Sequence, residues 1–202
     1  MTEPIFRRPQ GLSDDLVALA KFFLLDALSA YGDPEGEHDL HRLETGRLSE
    51  ADFFAALCAR FSAQGGPDID PAVAREAVFE RGIVACGAMV DTVRDVRAAG
   101  YRTALLTNNV REWGPQWKPV VALDELFDVV VDSSEVGMRK PDPAIYTLTC
   151  ERLGVAPSDC IFVDDLQVNL DTARSLGMDT VLCSDPVHAA GVVRERLLAE
   201  AA

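Results

Sequence analysis

Cys160-Ile161-Phe162-Val163-Asp164-Asp165 is a short apolar run that ends in two adjacent carboxylates. Leu166-Gln167-Val168-Asn169 follows, with Ala173 in helical spacing and Gly177 as a stop. An apolar strand that turns into a helix at an acidic pair is a strand-to-helix corner of an open α/β sheet. Such sheets bind their ligands just past the carboxyl ends of the strands. Two hard oxygen donors at that position suit Mg²⁺, so Asp164 and Asp165 are candidate metal ligands. The plainer role of the same pair is to cap the helix that follows.

Two features upstream have the same character. Tyr101-Arg102-Thr103-Ala104-Leu105-Leu106 is β-prone and breaks at Thr107-Asn108-Asn109, which sets a hydroxyl and two amides at a second strand end. Gly137-Met138-Arg139-Lys140-Pro141-Asp142-Pro143 places a lysine in a loop before a helix that Pro143 opens. Taken in chain order, the hydroxyl and amides of Thr107 and Asn108 suit phosphoryl oxygens. Lys140 suits their charge, and the carboxylates suit a bridging cation. Each has a plainer alternative: Thr107 as a turn cap and Lys140 as a solvated surface charge. Trp113 and Trp117 follow the Thr107 loop and are read as packing it onto the core, with ligand contact as the alternative.

From residue 88 onward, elements of the two periods alternate. Helices are expected at Met89 to Ala99, Pro143 to Leu153, Val168 to Leu176 and from Val187 to the end. Strands are expected up to Leu106, at Phe127 to Val131, up to Val163 and at Thr180 to Cys183. Such alternation implies right-handed βαβ units and a parallel, Rossmann-like sheet in an α/β core over 85–202. Residues 12–84 read as a helical block. Its helices are expected from 13 to about 31, from Leu48 to Phe61 behind an N-cap Ser49, and from Pro71 to about Arg81. No internal repeat or low-complexity segment interrupts the chain.

Thr107-Asn108-Asn109, Lys140 within Arg-Lys-Pro-Asp-Pro, and Val163-Asp164-Asp165 with Asn169 resemble the second, third and fourth motifs of the haloacid dehalogenase superfamily. Thr107 and Lys140 are 33 residues apart, and Lys140 and Asp164 a further 24. The wording around them is similar to the phosphatase-like branch that includes the amino-terminal domain of soluble epoxide hydrolases. The resemblance is close over roughly residues 85–185. It implies a Mg²⁺-dependent hydrolase of a small phosphomonoester. Thr107 and Asn108 would bind phosphoryl oxygens, Lys140 would stabilise the transferring group, Asp165 would ligate Mg²⁺, and Asp164 would ligate or orient. The helical block would be a cap over the site.

One family feature is missing. Members open with an apolar strand ending in a carboxylate that attacks the substrate, a nucleophilic mechanism, and that strand lies between the ones ending here at Leu106 and Val163. This chain opens Met1-Thr2-Glu3-Pro4-Ile5-Phe6-Arg7-Arg8-Pro9-Gln10, without such a residue. Asp14 and Asp15 behind Ser13 read as the acidic first turn of a helix. Asp26 follows Phe22-Phe23-Leu24-Leu25 but keeps helical spacing with Leu16, Leu19 and Leu28. A natural start upstream of Met1 is the leading expectation. The alternatives are Pro4 to Phe6 as a replacement strand and a gap filled by another chain. The chain as written is expected to be inactive. A phosphate- or protein-binding descendant without turnover is the competing reading.

The formal charge of −14 makes nucleic acid and anionic membrane poor partners, and repels phosphorylated ligands unless a cation or local positive pocket draws them in. No apolar run reaches membrane-spanning length and no leader layout is visible. Cys58, Cys86, Cys150, Cys160 and Cys183 are odd in number and scattered. They read as buried reduced thiols of a cytoplasmic protein. His38 and His41 lie among Glu37, Asp39 and Arg42 and read as a solvated connection, not a metal pair. The partners expected are a small phosphorylated molecule and a second copy in a homodimer.

Overall fold

The computed structural model describes residues 13–33, 36–79 and 85–198. Their contacts divide them into two compact units. One holds the described residues up to Leu43 together with those from Leu48 to Phe79; the other holds Glu44–Arg47 and everything from Ala85 onward. The expected replacement strand at Pro4 to Phe6 lies outside the described residues.

The first unit is helical: α1 (Asp14–Gly32), α2 (Asp39–Glu44, all but its last residue), α3 (Glu50–Ala63) and α4 (Pro71–Phe79). Ser13 Oγ caps α1 by accepting from Leu16 N at 3.3 Å, and Asp14 and Asp15 fill the first turn. Ser49 Oγ caps α3 in the same way, accepting from Asp52 N at 3.1 Å. Phe53, Phe54, Leu57 and Phe61 bury one face of α3, and the rings of Phe22 and Phe23 in α1 pack on Phe61 and Phe53. Asp26 lies inside α1 and pairs with Arg60 at 2.9 Å, while Arg60 also holds Asp39 at 2.6 Å. It is therefore a helix-packing residue. The stretch read as a solvated connection is instead the helix α2. His41 is buried, its two ring nitrogens 2.8 Å from Gly36 O and 3.0 Å from Ala30 O. Backbone carbonyls thus flank both ring nitrogens of a buried imidazole.

The second unit alternates: α5 (Gly87–Ala98), β1 (Ala104–Thr107), α6 (Gly114–Trp117), α7 (Leu123–Leu126), β2 (Val129–Asp132), α8 (Ser133–Val136), α9 (Pro143–Leu153), β3 (Ile161–Asp164), α10 (Gln167–Ser175), β4 (Asp179–Leu182) and α11 (Pro186–Leu198). Phe127, expected to begin a strand, ends α7 instead, and β2 starts two residues later. All pairing is parallel. Ala104–Thr107 run in register with Val129–Asp132, and Ile161–Asp164 with Asp179–Leu182.

These four strands form two sheets of two, β1 with β2 and β3 with β4. Parallel strands are ordinarily buried on both faces, and Val131 in β2 is 0% exposed. β1 and the first three residues of β3, however, are only half-buried along their length. The cause is a groove of about 920 Å³ that both strands line, through Ala104, Leu105 and Leu106 on one side and Ile161, Phe162 and Val163 on the other. The core is split accordingly. Val131, Ile145, Tyr146, Cys150, Ala173 and Met178 make one cluster, and Val96, Val181, Ala189 and Val193 make another.

Ile145, fully buried in the first cluster, tests whether this core carries the fold. Ile145→Ala is expected to lower the unfolding free energy by about 2–5 kcal/mol, read as a lower urea midpoint at unchanged slope. The 58% exposed Leu28, changed to Ala, should move it by less than about 0.5 kcal/mol.

Candidate functional site

Hydrogen bonds draw the carboxyl ends of β1 and β3 and the loop before α9 into one cluster. Asn108, just past β1, clasps the backbone of Lys140. Its Nδ2 donates to Lys140 O at 2.9 Å and its Oδ1 accepts from Lys140 N at 2.8 Å. Both ends of this amide are thus spent on positioning the lysine, a use that the strand-end reading of Asn108 as a phosphoryl ligand did not foresee. Among the described residues Thr107 Oγ1 makes one long contact, 3.4 Å to Asn108 O, at the strand end.

The Lys140 loop is shaped by its neighbours. Gly137 ends α8 at φ +72°, a left-handed turn that favours glycine. Asp142 caps α9, accepting from Ala144 N at 2.9 Å, and Pro143 supplies the first helical residue. Between them Lys140 is 9% exposed, which excludes the solvated alternative. Its Nζ donates to Asp164 Oδ2 at 2.7 Å and lies 5.7 Å from the centroid of the Phe162 ring. Asp164 Oδ1 accepts from Leu166 N and Asn169 Nδ2, both at 2.9 Å. The carboxylate therefore caps α10 and pairs with the lysine at once. Burial first, and the Asp164 charge second, push the nearby Tyr146 phenol well above its ordinary range, and its hydroxyl donates to Asn169 O at 3.0 Å.

Asp165 is exposed beside this buried pair. Among the described residues no three His, Cys, Asp or Glu side chains converge into a closed metal cage. Mg²⁺ does not require one, since it is commonly held by one or two carboxylates, with waters and substrate oxygens completing the shell. The donor chemistry of Asp165, with a remaining lone pair of Asp164, fits that ion.

Glu44, Ser133 and Arg139 were not singled out from the sequence, yet they tie the site together. Arg139 Nε donates to Glu44 Oε2 at 2.7 Å, both side chains 7% exposed. Ser133 Oγ donates to Glu44 O at 2.6 Å and accepts from Asn109 N at 2.9 Å. Through these bonds the Glu44–Arg47 segment holds both the loop after β1 and the loop carrying Lys140. The approach is close at Gly46, where φ is +68° and a Cβ would lie 2.7 Å from Ser134 O. No local pattern marks Glu44, because its partners lie 89 and 95 residues away.

Of the two tryptophans, Trp117 is buried and lines the groove, whereas Trp113 is not among the lining residues. Cys58 and Cys150 are buried and Cys160 and Cys183 half-buried, as a reduced-thiol reading requires, but Cys86 is exposed. Cys150 and Cys160 lie 3.9 Å apart at sulfur. Burial raises both thiols, Cys160 to about 12.

Known proteins resemble this chain as follows. A family model described as haloacid dehalogenase-like hydrolase matches residues 19–177. Acyl-CoA dehydrogenase family member 10 of Mus musculus is 42% identical over 99 residues, 48% of this chain and 9% of that protein. Bifunctional epoxide hydrolase 2 of Rattus norvegicus is 27% identical over 188 residues, 88% of this chain and 33% of that protein. The chain thus spans a third or less of the length of these two relatives. A phosphatase of Mycobacterium tuberculosis (strain CDC 1551 / Oshkosh) is 32% identical over 121 residues, 59% of this chain and 46% of that protein. In fold, a HAD family enzyme of Bacteroides thetaiotaomicron, solved with magnesium and inorganic phosphate, superposes with a TM-score of 0.60 at 20% identity. That match covers 85% of this chain and 88% of the other.

Two outcomes are expected from this geometry. Glu44→Ala takes the carboxylate from a buried guanidinium and should destabilise the protein by about 3–5 kcal/mol. Replacing Glu44 and Arg139 together by Gln and Met should cost less than the sum of the single changes in a double-mutant cycle. Alkylation at pH 8, followed by mass spectrometry, should modify exposed Cys86 first. Cys150 and Cys160 should resist, because their raised thiols stay protonated there.

Proposed function

The chain belongs to the haloacid dehalogenase-like hydrolase family, and from that premise we propose that its site is the phosphate- and Mg²⁺-holding half of a phosphomonoester hydrolase. The observation that carries the reading is the buried Lys140–Asp164 pair at the carboxyl end of β3, 2.7 Å long, with exposed Asp165 beside it. A lysine in this position neutralises phosphoryl oxygens. Thr107 donates its hydroxyl to one of them. Asn108 keeps Lys140 in place, and Asp164 orients the ammonium toward the ligand. Asp165 would hold Mg²⁺, which would supply charge neutralisation to a bound phosphoryl group. The match to a mycobacterial phosphatase and the likeness in fold to a magnesium- and phosphate-bound enzyme support a small phosphorylated molecule as the partner.

Turnover in such a hydrolase needs an attacking group. Among the described residues the carboxylates at the end of β3 are Asp164, already bonded on both oxygens, and Asp165, assigned to the metal. Asp26 is held in α1 by Arg60. We therefore propose that the 202-residue chain binds phosphate and Mg²⁺ without hydrolysing phosphomonoesters.

An aryl phosphate assay with and without Mg²⁺ should show no turnover above background. Inorganic phosphate at tenfold excess over its Kd should still raise Tm by about 3–5 °C. Lys140→Gln should abolish that rise, and Asp165→Asn should abolish the Mg²⁺-dependent part of it. Hydrolysis that disappears in Asp26→Asn, or wild-type protein blind to phosphate, would sink the reading.

A further inference from the structure

His41 stands between two backbone carbonyls that belong to different segments. Its Nδ1 lies 2.8 Å from Gly36 O and its Nε2 3.0 Å from Ala30 O. Ala30 is in the last turn of α1, Gly36 precedes α2, and His41 sits inside α2 at 3% exposure. A carbonyl oxygen can only accept, and a neutral imidazole has one N–H. Whichever tautomer the neutral ring took, its other nitrogen would turn a lone pair on a carbonyl oxygen at hydrogen-bonding distance. Only the imidazolium, with an N–H at each nitrogen, donates to both.

We propose that His41 is a proton-operated latch. In its charged form it fastens the end of α1 to the start of α2 through two N–H donations, and loss of one proton to solvent releases one of the two carbonyls.

Burial opposes the charge, since an imidazolium loses hydration when it is enclosed. Three features oppose burial. Both bonds are charge-assisted, and so stronger than those of a neutral ring. The carbonyl of Ala30 belongs to the negative end of a 19-residue helix whose own last turn has no basic residue, so His41 supplies the cation that this end favours. The formal charge of −14 also favours keeping a proton. The neutral ring, meanwhile, sets an acceptor against an acceptor in a buried setting that strengthens the repulsion. Together these effects hold the proton on the folded chain at pH values where the unfolded chain has released it.

The other ionisable side chains on the two segments are Tyr31 and Asp33 at the end of α1, Glu37 and His38 before α2, and Asp39 and Arg42 within it. Asp39 is matched by Arg42 at 3.3 Å and by Arg60 from α3 at 2.6 Å. Asp33 lies 3.5 Å from His38 Nε2, and the His38 ring meets that of His41 edge-on, 5.1 Å between centroids. His38 is thus the neighbour whose titration must be separated from that of His41, and a charge on it works against the latch. A proton held by the folded chain alone stabilises it at low pH, and that stabilisation fades as the pH rises through the folded-state value.

The test uses the 202-residue chain labelled with nitrogen-15 and reads the two ring nitrogens of His41 as the pH is raised. Both are expected to carry a proton at neutral pH. Half-titration is expected at a proton concentration at least about tenfold lower than for exposed His188 in the same spectrum. The urea midpoint of wild type minus that of His41→Gln should fall between about pH 6 and about pH 9. It should fall equally when both proteins also carry His38→Gln. The proposal is overturned by a His41 ring with a single N–H at neutral pH, by half-titration at or below the pH found for His188, or by a midpoint difference whose pH dependence is absent or disappears with His38→Gln. Should His41→Gln not fold, the ring spectrum of the unaltered protein decides alone. Phosphate and Mg²⁺ take no part in these readouts, so the outcome is independent of the hydrolase reading.

Discussion

An inner strand of a parallel sheet is bonded along both edges and covered on both faces, and among the described residues β1 and β3 are bonded along one edge each. The consequences run through the second unit. Among the described residues each strand bonds a single neighbour. The core forms as two clusters instead of one, and Leu105, Leu106, Ile161, Phe162 and Val163 remain half-buried although they are the most apolar part of the sheet. Apolar area left facing a groove forgoes about 25 cal/mol per Å² that burial would contribute, and bare backbone edges forgo their ladder bonds.

Side chains span what the backbone does not. From the β1 end, Asn108 clasps Lys140, Lys140 pairs with Asp164 at the β3 end, and Asp164 is braced by Asn169. On the far side of the same loops Glu44 joins Arg139 to Ser133, and Ser133 joins Asn109. Each is a short polar contact in a largely buried setting, where a partner left unmatched costs more than a matched one contributes. The polar end of the unit is thus fixed by mutual hydrogen bonding, and its apolar body is not closed by strand pairing. Order at the site and openness in the groove coexist because different forces set them.

The parts legible in the sequence are those decided by local chemistry. α9 runs from Pro143 to Leu153 as expected, because Asp142, Pro143 and Gly154 mark both of its ends. The helical identity of Asp26 could be read from the spacing of Leu16, Leu19 and Leu28 around it. The acidic corner at Asp164 was legible for the same reason: a strand, a turn and a helix each leave a short-range signature. What was not legible depends on residues far apart in the chain. The six-residue α2 has little periodicity to detect, and His41 is buried by carbonyls at Ala30 and Gly36 that nothing in its own neighbourhood announces. Glu44 has no motif at all. Asn108 lies where a ligand-binding amide would lie, and only the fold shows its amide turned to the Lys140 backbone.

Thr107 connects the two halves of this picture. It closes β1, lines the groove and stands beside the Asn108–Lys140 clasp. Its hydroxyl stands at the polar end of a strand whose body, Leu105 and Leu106, fronts the apolar groove. The position of Thr107 relative to Lys140 is set by the Asn108 clasp and by the bonds that join Asn109 to Ser133, Ser133 to Glu44 and Glu44 to Arg139. A group bound across Thr107 and Lys140 gains from every bond that fixes those loops, and by linkage stabilises them equally.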